Sequence, residues 1–232
     1  MSPEGTGRFL AVLKGDPGAR RPTLETLCLR VLEILPATGA SIVLMSGGKG
    51  QGLAGASGES ASTNQDLEFT LGEGPGIDAF GDGRTVLVDD LQATGGRWPV
   101  FSESAVGHGV RSVCALPLQV GSIRLGVLSL YAPTSAAFGG EHLADAHLVA
   151  DLVTHMLIEL QSEAVSESVA FALDVSDYRA VVHQATGKVS AQLDCDVGEA
   201  LLRLRGRAFS TGRPIDELAK EVVDGSVRFD EL

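Results

Sequence analysis

Six cationic side chains fall within residues 178–213: Arg179, Lys188, Arg203, Arg205, Arg207 and Arg213. Only Asp194, Asp196 and Glu199 oppose them there, so six positive charges against three negative ones leave the stretch locally +3. Arginine offers a planar, permanently charged fork of donors that matches phosphate and stacks on bases. These residues therefore suit an anionic polymer, with an affinity that scales with the phosphates neutralised. The plain alternative is a solvated helix face. The rest of the chain is acidic. Residues 1–170 hold 10 basic and 19 acidic side chains, and the whole chain of 232 residues carries a formal net charge of −12. That balance argues against a general nucleic-acid coat or a membrane-surface protein.

Other residue types that could do chemistry form no such grouping. Asp89 and Asp90 are adjacent at a strand end, so they point to opposite faces and do not converge as a catalytic pair. The glycine loop at 72–76 lacks the Lys-Ser/Thr ending of a phosphate loop. His108, His142, His147 and His155 have no metal-ligand spacing. Cys28, Cys114 and Cys195 are odd in number and far apart, which fits small packed side chains better than a disulfide framework. No enzyme, metal or cofactor is expected. The N-terminus has no long apolar h-region, and no window approaches the ~18 apolar residues of a membrane span. The chain is expected to be soluble and cytoplasmic.

The elements that must position the cations are helices. Val182, Ala185 and Val189 recur at helical spacing, with Arg179, His183, Gln184, Thr186 and Lys188 on the other face. Gly187 sits mid-helix, where a packed helix or a ligand could approach the backbone. Asp196 with Glu199 three residues on resembles a capping box, and Val197, Ala200, Leu201, Leu204 and Ala208 form the stripe of a second helix. Arg203, Arg205 and Arg207 alternate and so fan around it. Gly212 stops it, and Pro214 opens a third helix whose inner face is Ile215, Leu218 and Val222.

Upstream the pattern changes. Residues 1–22 read as a flexible arm, with at most a short helix at 9–13. Leu24, Leu27, Val31 and Leu35 mark a helix after Thr23. Residues 40–45 and 51–57 suit a pair of strands, residues 58–66 a polar loop, and residues 77–83 a short helix ended by glycine. Residues 85–91 suit a strand, and residues 97–109 a loop with a short helix. Residues 110–120 and 124–133 around Gly121-Ser122 are the clearest hairpin. Residues 141–162 carry apolar positions from Leu143 to Leu160 at helical spacing. The expected class is α+β: an antiparallel sheet with helices gathered on one side, then a small C-terminal three-helix bundle.

Six segments in order, GASIVLM, LGEGPGIDAF, VLVDDL, RWPVF, GVRSVCALPL and LGVLSLYAP, resemble the GAF domain of actinobacterial sensor proteins. Relatives often carry Cys after the Gly-Pro of the loop, where this chain has Gly76. HQATGKVSAQL, VGEALLRLRGRA and TGRPIDELAKEVV resemble an ANTAR domain, the three-helix RNA-binding module of transcription antiterminators. That family usually shows Ala-Lys-Gly where this chain has Ala185-Thr186-Gly187, so a neutral hydroxyl replaces a lysine. The two resemblances imply an arm at 1–22, a GAF sensor at 23–162, a linker at 163–177 and an ANTAR domain at 178–232. They imply a regulator that binds paired RNA hairpins as a homodimer and promotes antitermination. Gln184, Ala185, Thr186, Gly187, Lys188, Arg203, Arg205, Arg207 and Arg213 would be its RNA-binding residues. An unidentified small molecule would act on the GAF domain. The alternative is a GAF-mediated dimeric protein-interaction module with weakened or lost RNA binding.

Overall fold

The computed structural model describes residues 3–15, 22–46, 50–164 and 177–230. The chain divides into two compact units, Met1–Leu173 and Asp174–Leu232. Most of the expected linker at 163–177 lies outside the described residues.

The first unit is built on the hairpin that the period-two pattern marks. The sheet contains β1 (Gly39–Ser46), β2 (Gly50–Ser57), β3 (Val86–Val88), β4 (Ser112–Val120) and β5 (Ile123–Ala132) in the order β2-β1-β5-β4-β3, and its paired neighbours run antiparallel. Val120 pairs with Ile123, so Gly121-Ser122 is a two-residue turn, and Gly121 takes the positive φ of 58° that such a turn asks of its first residue. Alternation then sorts the side chains. Ala40, Ile42, Cys114, Leu116, Leu118, Leu128 and Leu130 bury one face against α1 (Pro3–Lys14), α2 (Leu24–Leu32) and α6 (Glu141–Ala164). Val86, Val88, Val113, Ala115, Val127 and Tyr131 bury the other beneath α3 (Glu59–Leu71), α4 (Pro75–Asp82) and α5 (Pro99–Gly107). Helices thus cover both faces of the sheet, not one side as the pattern suggested.

Two further expectations change. The N-terminal arm contains a helix docked on the core, because Phe9 and Leu13 on α1 are buried with Leu27 and Val31 of α2. The expected polar loop at 58–66 is largely helix α3. Its inward face carries Ala61, Asn64, Gln65 and Glu68, all buried. Polar residues on a buried face give no amphipathic signal, so the helix is invisible to a hydrophobic-period reading.

Glu68 explains the glycine loop that follows. Its Oε1 accepts the Gly76 N–H at 2.8 Å. A Cβ on Gly74 or Gly76 would lie 2.5 Å from the Glu68 side chain, so both positions must remain bare. Burial pushes the Glu68 carboxyl up to about 8, although the Gly76 hydrogen bond works against the shift. Nearby on this face, the Ser41 and Tyr131 hydroxyls lie 3.5 Å apart. Asn64 Oδ1 and Gln65 Oε1 are buried acceptors without a donor among the described residues.

Asp90 and the lone tryptophan have structural roles. Asp90 accepts from Arg111 at 2.7 Å and caps a 3-10 turn at Leu91–Ala93 through the Gln92 N–H at 3.0 Å. The Arg111 bond, aided by the Gln92 N–H, holds its carboxyl below the usual carboxylate range. Asp78 of α4 takes both Arg97 at 2.7 Å and the Trp98 indole N–H at 3.1 Å, which locks the start of α5. Cys28 and Cys114 are buried, and burial raises both thiols to about 12.

Glu68 makes stability depend on pH. Its folded carboxyl stays protonated where the unfolded chain's has ionised, so the native state binds more protons from about pH 4.5 to about pH 8. Its contribution is fully present below that window, is lost as pH rises through it, and is flat above. Glu68→Gln should remove this slope. Urea unfolding of both proteins between about pH 5 and about pH 8.5 should show the wild type losing ground to the variant until about pH 8.

Candidate nucleic-acid interface

The second unit packs three helices, α7 (Asp177–Leu193), α8 (Val197–Thr211) and α9 (Ile215–Asp224). Asp196 starts α8 by accepting the Gly198 and Glu199 N–H groups at 2.7 and 3.1 Å. Gly212, at φ 63°, stops it. The core comprises Val182, Ala185 and Val189 of α7, Ala200, Leu204 and Ala208 of α8, and Ile215, Leu218, Ala219 and Val222 of α9. Val197 was expected in that stripe but is exposed, since it opens α8 at the end of the bundle.

The expected α7 contacts separate. Gln184, Gly187 and Lys188 face outward. Ala185 and Thr186 do not: Ala185 is buried and Thr186 is only 1% exposed. Thr186 Oγ1 donates to the Val182 carbonyl one turn back at 2.7 Å, so its hydroxyl is satisfied inside the helix. Neither side chain can reach an outside ligand, and the exchange of lysine for threonine is a change of core, not of surface. A Cβ on Gly187 would meet nothing within 4 Å, so packing against a neighbouring helix does not account for this glycine. Lys188 Nζ donates to the Val223 carbonyl at the end of α9. A cation at a helix C-terminus complements the dipole, so Lys188 fastens α7 to α9.

The arginines also separate. Arg213 makes two bonds to the Glu221 carboxylate at 2.7 and 2.9 Å, which closes the α8–α9 corner. The partnership holds Glu221 below its ordinary range. Arg205 is half-buried, and burial lowers its guanidinium from the ordinary value. Arg203 and Arg207, four residues apart, share a side of α8. Arg203 bonds Glu199 at 2.8 Å and stays well exposed. Arg207 has no carboxylate partner among the described residues. Its guanidinium lies 5.0 Å from the centre of the Phe229 ring, and one N–H reaches the Arg228 carbonyl at 3.4 Å.

Arg203 and Arg207 line a surface groove of about 590 Å³, together with Leu193, Ser210, Thr211 and Phe229. The charge count included the two arginines among its six cations but did not point to Phe229, which follows the stop of α9 at Gly225. The hint was an Arg-Phe pair in an otherwise acidic tail; its return onto the bundle had no local signal. Among the described residues, no His, Cys, Asp and Glu group of three or more is arranged to hold a metal. No helix of the described residues is long and apolar enough to cross a membrane.

The chain thus joins an antiparallel sheet covered by helices on both faces to a three-helix unit whose residues 178–213 are locally cationic. Residues 21–158 match the GAF domain family and residues 176–223 the ANTAR domain family. The first match spans more than half of the chain, so the chain belongs to the GAF family and carries an ANTAR domain behind it. None of the curated proteins matches it significantly. Among solved structures, it is similar to the GAF domain of a phosphoenolpyruvate-protein phosphotransferase from Coxiella burnetii: 15% identity, TM-score 0.53, 70% of this chain and 98% of that one. It is also similar to free methionine-R-sulfoxide reductase from Neisseria meningitidis: 15% identity, TM-score 0.50, 70% of this chain and 95% of that one. At such identities the likeness shows the fold alone.

Two substitutions test this placement. Thr186→Lys should cost about 3 kcal/mol of stability, because it puts an ammonium where no countercharge waits, while Thr186→Ser should cost far less; urea unfolding separates them. Asp196→Ala should cost about 1 kcal/mol through the lost cap, read as a lower thermal midpoint of the helical unit.

Proposed function

We propose that this chain is a signal-responsive regulator that binds hairpin RNA through its ANTAR domain and promotes transcription antitermination, and that it is not an enzyme. The observation that carries the reading is the groove on α8, where Arg203 and Arg207 stand together on the unit that matches an RNA-binding family. Among the described residues Arg207 makes no salt bridge to a carboxylate, so phosphate can take it. Gln184 and Lys188 add exposed polar groups on α7. The GAF domain receives a small molecule, and α6 with the segment that follows it connects that domain in the chain to the output module. The working form is a homodimer, which suits an RNA of two hairpins.

One observation favours a second reading, a protein-interaction module. Leu202 and Phe209 on α8 are 67% and 61% exposed. They flank the exposed Gly206, so this side of the helix could seat another polypeptide.

Titration of the purified chain with a fluorescent dual-hairpin RNA across a salt series separates the two. RNA binding should weaken steeply with salt. Arg207→Ala should weaken it about ten-fold and reduce the salt slope by about one. Absent or salt-independent binding, unchanged in Arg203→Ala and Arg207→Ala, would sink the RNA reading.

A further inference from the structure

The match to the ANTAR family ends at residue 223, yet the chain continues and folds back. Gly225 takes φ 93° and turns the backbone off α9. The Phe229 N–H then donates to Gln192 Oε1 on α7 at 2.9 Å. This places the Phe229 ring beside Arg207 and the Arg228 carbonyl on one of its N–H groups. Arg228 and Asp230 pair at 2.6 Å, bracing the tail on both sides of Phe229. The tail thus meets Arg207 twice, through the Phe229 ring and through the Arg228 carbonyl.

Two hydroxyls in the same groove have already used their protons. Ser210 Oγ donates to the Arg207 carbonyl at 3.1 Å, and Thr211 Oγ1 to the same carbonyl at 2.7 Å. A carbonyl can only accept, so both oxygens present lone pairs alone to a visitor. The groove thus combines guanidinium donors for an anion, hydroxyl acceptors for a donor, and an apolar floor of Leu193 and Phe229. Its volume of about 590 Å³ falls in the range of small-ligand sites.

We propose that the groove between α8 and the C-terminal tail takes one unpaired ribonucleotide of the RNA, its phosphate on Arg203 and Arg207 and its 2′-hydroxyl donating to Ser210 or Thr211. Phe229 and Gln192 are positioning residues that set Arg207. The 2′-hydroxyl is the group that separates RNA from DNA at such a contact, so the site selects ribose. This rests on the RNA reading and adds where and how a loop nucleotide is read.

The test uses the full chain and a labelled dual-hairpin RNA with randomised short loops, made with ribose or with 2′-deoxyribose in the loops. Wild type should bind the ribose loops about five-fold more tightly. The double variant Ser210→Ala with Thr211→Val should bind both RNAs alike. Phe229→Ala and Gln192→Ala should weaken binding of looped RNA while leaving a blunt duplex of the stem sequence unaffected, with circular dichroism confirming the fold. Equal wild-type affinity for the two loops, or full ribose preference in the double variant, overturns the groove assignment alone. Failure of wild type to bind any of these RNAs overturns the functional reading with it. Displacement of the RNA by micromolar AMP would make the occupant a free nucleotide and also overturn the assignment.

Discussion

The first unit depends on the strict alternation of side chains along the central hairpin. β4 and β5 are covered on both faces, so each step along them moves a residue from one compartment to the other. Cys114, Leu116, Leu128 and Leu130 go to an apolar layer with α1, α2 and α6. Ser129 and Tyr131 go to a layer that also holds Ser41, Asn64, Gln65 and Glu68. One compartment is fit only for packing. The other mixes apolar walls with buried hydrogen-bonding groups, which stay costly unless something satisfies them. A domain made this way divides an apolar face from one that holds buried polar groups.

Glu68 shows how local and tertiary choices meet in that face. Its carboxyl organises the loop leading into α4, and the loop's bare glycines exist to make room for it. The glycines draw attention in the sequence, but their reason lies on a different element eight residues away. Gly76 carries no side chain that would crowd this buried acid, and its N–H donates to it.

The helical unit divides its cations by task. Lys188 and Arg213 fasten helices to one another, and Arg203 and Arg207 share a groove. A count of positive charges does not distinguish these roles, because a guanidinium bonded twice to a carboxylate and one resting on an aromatic ring look alike in composition. What separates them is the neighbour, Glu221 for one and Phe229 for the other. The acidic character of the whole chain and the cationic character of one groove are therefore compatible.

By itself the sequence determined the hairpin around Gly121-Ser122, the helical periods of α2, α6, α8 and α9, and the stop at Gly212. These follow from spacing, turn chemistry and capping, which are local and act over a few residues. It also determined the two-part organisation, through two sets of motifs. The tertiary structure alone decided that α3 is a helix, since its buried face is polar and leaves no apolar period. It decided that α1 is docked, since one short apolar run at 9–13 in a glycine-rich arm carries no meaning until a core receives it. It moved Thr186, which the helical period put on the outer face, inside, because burial depends on where neighbouring helices lie. And it brought Phe229 back beside Arg207 by a hydrogen bond to Gln192, a contact across 37 residues that no local pattern encodes.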